Sequence, residues 1–139
     1  MNKNQLIMVI GALILIIAAF LPWINVSALY GNVPGIDEGI AAGWEGDGFI
    51  TGGIGLILLV SAFMIKGNPG KRYSITGAIF GLLTCSVILS DFLAIIRIGP
   101  EAGILASTCI GLYLTFAGGL LAIFSGLQMI PDRVDNLKI

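Results

Sequence analysis

The chain has 139 residues, 57% of them hydrophobic and 11% charged, with a net charge of −1. A mean hydropathy of +1.01 is too apolar for a surface that faces water, so the composition points to an integral membrane protein made of one domain, residues 1–139. The near-neutral charge supplies no basic surface for nucleic acid, and the absence of histidine removes most metal-site and triad chemistry.

A helix that crosses ~30 Å of hydrocarbon needs about 20 apolar residues, and four such runs occur, at about 5–24, 49–65, 73–98 and 103–130. The fold expected is an all-α membrane protein, a four-transmembrane-helix bundle. The first run follows Lys3 and contains Ala18 and Ala19, as a secretory signal does. Its apolar core exceeds the ~7–15 residues of a signal and lacks a clean small-x-small cleavage site, so it reads as a retained helix.

The basic residues set the orientation. Lys3, Lys66, Lys71, Arg72, Arg133 and Lys138 fall on one side of a four-helix topology, and Arg97 alone falls on the other. The positive-inside rule therefore predicts a multi-pass protein of the cell membrane with N- and C-termini cytoplasmic. The acids run the other way: Asp37, Glu38, Glu45, Asp47 and Glu101 lie outside, and Asp132 and Asp135 inside.

Residues 25–48 form the long extracytoplasmic loop that follows the first helix. NVSALY at 25–30 alternates apolar and polar residues around β-branched Val26, and Gly31-Asn32 predicts a turn of a short β-hairpin toward Ile36. Trp23, Tyr30 and Trp44 sit where amphipathic rings anchor a chain in the headgroup zone. GWEGDG at 43–48 then reads as a turn, with Asp47 in the N-cap position of the second helix. The competing reading gathers Asp37, Glu38, Glu45 and Asp47 into an outward-facing cation site, although their spacing does not follow a calcium loop.

Residues 66–72, KGNPGKR, make a tight cytoplasmic turn, and Pro131 ends the fourth helix. Gly77, Gly81 and Cys85 on the third helix, and Ser107, Gly111, Thr115 and Gly119 on the fourth, repeat small residues every four positions, a pattern for close helix packing. Gly48, Gly52 and Gly55, spaced four and three apart, do something similar on the second. Cys85 and Cys109 lie in apolar stretches without a CxxC motif and read as packing residues, with a disulfide between them left open. Asp91 is the candidate intramembrane acid; at 1.5 Å per residue it lies about 27 Å from Tyr73, near the outer interface.

LPW at 21–23, NVSALYGN at 25–32, Trp44-Glu45-Gly46 before the second helix and GLYL at 111–114 together resemble the claudin and peripheral-myelin-protein outline. They are also similar to small four-helix membrane proteins of bacteria and archaea whose functions are largely uncharacterised. The chain departs from the claudin pattern in having Gly-Asp-Gly after Trp44-Glu45 and no cysteine pair in the first loop. The resemblance implies a four-helix fold more than an activity.

No nucleophile with a base, phosphate-cradling loop, paired intramembrane acids or cofactor motif is apparent, so the expected function is non-enzymatic. The chain reads as an integral membrane scaffold or accessory subunit that binds a membrane-protein partner or a second copy of itself through helix faces and the first extracytoplasmic loop. The alternative is a small transporter or channel-forming protein with an acidic outer vestibule.

Overall fold

The computed structural model describes residues 3–28, 39–64, 71–101 and 104–129. In chain order they form α1 (Lys3–Phe20), β1 (Pro22–Ala28), β2 (Gly39–Ala42), a 3-10 turn (Gly43–Glu45), α2 (Gly48–Met64), α3 (Lys71–Glu101), β3 (Ile104–Thr108) and α4 (Ile110–Gln128). Among the described residues the protein is thus mostly helical, with four helices and a small sheet. Three of the described segments are long and apolar enough to cross a membrane: α1, Tyr73–Arg97 within α3, and α4. Helix α2 is equally apolar but has 17 residues, which at 1.5 Å each span about 26 Å.

Helix α1 packs against α2 and α4, and α4 packs against α1 and α3, whereas α2 and α3 touch little. The core joins Met8, Ala12 and Leu15 of α1 to Ile54 and Leu58 of α2 and Ala122 of α4. Small residues face inward, and large apolar ones such as Phe20, Phe63, Leu82 and Phe124 face outward. In water that arrangement would expose far more contiguous apolar surface than a soluble monomer tolerates. Together with the three long apolar helices it suggests insertion in a membrane.

Glycine makes the close approaches possible. A Cβ on Gly81 would stand 2.8 Å from the Gly119 carbonyl oxygen, and one on Gly77 would stand 3.3 Å from that of Ala122. A Cβ on Gly118 would meet Leu15 of α1 at 2.9 Å. Residues bearing Cβ atoms would hold α1, α3 and α4 further apart, and the dispersion contacts that hold helices together where both sides are apolar would weaken.

At one end of the molecule, polar side chains satisfy carbonyls that a helix C-terminus leaves without an intrahelical partner. Asn4 Nδ2 donates to the Gln128 carbonyl oxygen at 3.2 Å and Gln5 Nε2 to that of Ala62 at 3.4 Å. Ser74 Oγ donates to the Gly126 carbonyl oxygen at 2.5 Å. The start of α1, the end of α2, the start of α3 and the end of α4 therefore meet there. The buried hydroxyls of Thr51, Thr84, Thr115 and Ser125 instead donate to carbonyls of their own helices.

The sheet lies at the opposite end, with strand order β2–β1–β3 and both pairings antiparallel. Three sequence expectations change here. The first helix ends at Phe20 rather than residue 24, because Pro22 has no N–H to continue it and disfavours the helical conformation at Leu21. The strand runs from Pro22 rather than residue 25 and pairs antiparallel with residues 39–42; Gly31, Asn32 and Ile36, where the hairpin turn was expected, lie outside the described residues. The fourth helix begins at Ile110 rather than 103, because residues 104–108 pair with β1 in the register Ile24 to Thr108 and Ala28 to Ile104. Helix α3 also extends to Glu101, past Gly99 and Pro100, where a break was expected.

Candidate functional site

The sheet end is organised around Trp23. Its indole Nε1 donates to the Ala18 carbonyl oxygen at 2.8 Å, satisfying one of the terminal carbonyls of α1. Its own carbonyl accepts the Cys109 N–H at 2.7 Å, immediately before α4. Gly43 and Gly111 flank the ring so closely that a Cβ on either would overlap it; at Gly111 the separation would be 2.5 Å. Trp23 is 3% exposed and packs with Ile88 and Leu112. The expectation of a headgroup anchor therefore fails for this residue: the chain turns inward at Pro22, and the indole N–H finds its partner inside the protein.

Trp44, on the 3-10 turn, is 56% exposed and presents its ring to the surroundings. Tyr30, the third expected anchor, lies outside the described residues, as do Asp37 and Glu38. The turn is packed onto the start of α2, since a Cβ on Gly48 would overlap the Gly43 backbone. Asp47 occupies the N-cap position through its carbonyl, which accepts the N–H groups of Ile50 at 3.0 Å and Thr51 at 3.2 Å.

Asp47, Asp91 and Glu45 line a cavity of about 260 Å³ together with Trp23 and Ile24 of β1, residues 41–43 and Gly46. The structure thus brings together a tryptophan of β1, Glu45 of the 3-10 turn, Asp47 just before α2, and Asp91 of α3. Among the described residues no group of three or more His, Cys, Asp or Glu side chains has an arrangement suited to a metal ion. The cavity offers hydrogen-bond acceptors and negative charge, with no nucleophile among its lining residues.

Gly77, Gly81 and Gly119 lie at the α3–α4 contact, whereas Gly111 faces Trp23. Cys85 and Cys109 are free thiols, and Cys85 lies beside Gly119 in that contact. Sequence reasoning missed Gly43, Gly118, Gly126 and Ser74. The every-four pattern that stopped at Gly119 continues one position earlier through Gly118, Ala122 and Gly126, so the signal was present for two of them. A second concavity, about 290 Å³, lies between the sheet-end halves of α3 and α4 and is lined by Ile88, Leu89, Phe92, Leu112, Tyr113 and Phe116. The Tyr113 hydroxyl at its rim hydrogen-bonds Thr108 Oγ1 at 2.8 Å.

Comparison with known proteins leaves this geometry as the basis for any functional reading: no family model, curated protein or solved structure matches the chain.

Proposed function

We propose that the protein is a non-enzymatic scaffold or accessory subunit of the cell membrane, a four-transmembrane-helix bundle with both termini cytoplasmic and the sheet outside. The observation that carries the reading is the sheet itself. β1 is its central strand, so β2 and β3 each keep one edge without a strand neighbour among the described residues. Such edges are templates for a strand of another chain. Trp23 fastens the sheet rigidly to α1 and α4, and Ile40 on β2 and Trp44 beside it are exposed. The resemblance to the claudin outline and to small prokaryotic four-helix proteins supports the same architecture.

The bilayer and a membrane-protein partner, or a second copy, are the partners this reading requires. Affinity purification of the tagged chain from its native membrane in gentle detergent, followed by native mass spectrometry, should give a stable complex or homo-oligomer. Ile40→Lys, which places a charge on the β2 edge, should dissociate it. A lone monomer, with and without the substitution, would sink the proposal. Orientation is tested separately: in intact cells a single cysteine at position 35 should react with an impermeant reagent, and one at position 69 should not. The reverse pattern would invert the topology.

The acid-lined cavity favours a second reading, a small transporter or channel with an acidic outer vestibule. Against it, the helix contacts next to the core are closed by glycine-to-backbone approaches, and the core side chains are apolar. Cation flux into proteoliposomes above that of protein-free vesicles, and abolished by Asp47→Asn, would favour transport over the scaffold.

A further inference from the structure

We infer that the protein is built for a thin bilayer, one with a hydrocarbon core of about 26–28 Å against the usual ~30 Å, and that the last turns of α3 stand outside that core in the headgroup layer. The inference rests on the membrane reading above and adds to it the kind of bilayer the chain fits. Its basis is a pair of polar layers, each of which touches all four helices.

At one end the layer is fixed by side chains that bond across helices. Asn4 of α1 donates to the Gln128 carbonyl oxygen of α4, Gln5 of α1 to that of Ala62 on α2, and Ser74 of α3 to that of Gly126 on α4. At the sheet end Trp23 joins the end of α1 to the start of α4, through Ala18 and Cys109. Trp23 also lines one cavity with Glu45, with Asp47 just before α2 and with Asp91 of α3, so the acids stand at the same level. The separation of the two layers can be counted on each helix. At 1.5 Å per residue α1, α2 and α4 are about 27, 26 and 28 Å long, and α3 rises about 26 Å from Ser74 to Asp91. Agreement among four helices is what a slab requires, and tilt of the helices would only make the slab thinner.

Apolar length alone gives a different answer on α3. Its apolar segment Tyr73–Arg97 has 25 residues and would span about 37 Å. A bilayer matched to that segment would draw Asp91, Asp47 and Glu45 into hydrocarbon, where an acidic side chain costs several times what an aliphatic one gains by entering. The acids therefore set the boundary, and α3 overhangs it. Leu93 and Ile96 are 40% and 56% exposed and lie within about 8 Å beyond Asp91, inside a headgroup layer that is itself ~5–8 Å deep on each side.

The wild-type chain in nanodiscs of monounsaturated phosphatidylcholines, with hydrocarbon cores from about 22 to about 37 Å, tests the thickness. Its melting temperature should peak at about 27 Å and fall by several degrees toward the thickest lipid. A peak at about 37 Å, the length of the α3 segment, or equal melting in every lipid overturns the inference and leaves the membrane reading standing. Protein left behind when reconstituted vesicles float overturns both. The overhang has its own readout, a polarity-sensitive fluorophore on single cysteines in a Cys85→Ala, Cys109→Ala background. Leu82, midway between the layers, and Ile96 are both exposed, so neither label enters the core. The label on Leu82→Cys should emit as in hydrocarbon and that on Ile96→Cys as among headgroups. Hydrocarbon-like emission from position 96 in the lipid of highest stability refutes the overhang, and the wild-type lipid series carries the test if the labelled variants do not fold.

Discussion

Gly81→Ala adds one methyl group where α3 meets α4, and the structure gives the size of the disturbance. The new Cβ would lie 2.6 Å from Ile123 Cγ1, 2.8 Å from the Gly119 carbonyl oxygen and 2.8 Å from the Ile123 amide nitrogen. The Ile123 side chain can rotate away, but the other two atoms belong to the α4 backbone. Relief to 3.4 Å, the start of ordinary contact, requires the helices to separate locally by about 0.6 Å, the difference from 2.8 Å. Forced overpacking of this kind costs about 1–3 kcal/mol. For a chain of this size that corresponds to a fall in melting temperature of about 3–12 °C, at roughly 3–4 °C per kcal/mol. Two controls separate packing from side-chain identity. Gly53→Ala adds the same methyl group to α2 where nothing lies within 4 Å, and Leu83→Ala trims a side chain that is 49% exposed. Both should melt close to wild type in detergent, followed by circular dichroism and by retention of the folded peak on gel filtration. Equal melting temperatures for Gly81→Ala and Gly53→Ala would refute the claim that the glycine sets the α3–α4 distance.

Trp23→Phe keeps an aromatic ring but deletes the indole donor to the Ala18 carbonyl, so thermal melting should show a loss of about 0.5–1.5 kcal/mol. Ser74→Ala removes the bond from α3 to the α4 carbonyl of Gly126 and should cost about 0.6 kcal/mol and at most ~1.7, the range for interhelical hydrogen bonds in membranes. Ser86→Ala is its control, because that exposed hydroxyl bonds its own helix at Leu82 and its loss should leave the melting temperature unchanged.

The number and approximate position of the helices were legible because membrane insertion needs long apolar runs, a property local to each segment. What sequence reasoning misread was non-local. Residues 104–108, ILAST, continue the apolar character of α4, and a short apolar run cannot be assigned to strand or helix by composition. The strand exists because β1, some eighty residues earlier, presents an edge in the matching register. The end of α1 was a different case. Pro22 carried a local signal for it, but the apolar residues beyond it made a longer span plausible by length alone.

The same division explains the site. Asp47 was legible as a helix start and Asp91 as an acid near the end of a span, each from its own neighbourhood. That both line one cavity depends on the start of α2 lying beside α3 at the sheet end, and no spacing within either helix encodes that. Trp23 shows why residue type can mislead at this depth. A tryptophan after Pro22 has the sequence character of an interfacial anchor, yet two glycines far apart in the chain, Gly43 and Gly111, leave a slot that only a side chain from outside their own elements can fill. The slot makes the ring a wedge between the sheet and α4. Trp44 lacks such a slot and remains exposed. Glycine placement therefore decides the fate of both tryptophans: in a bilayer, where interior and surroundings would be equally apolar, burial follows the room that small residues leave, since hydrophobicity alone gives an aromatic ring little reason to choose one side over the other.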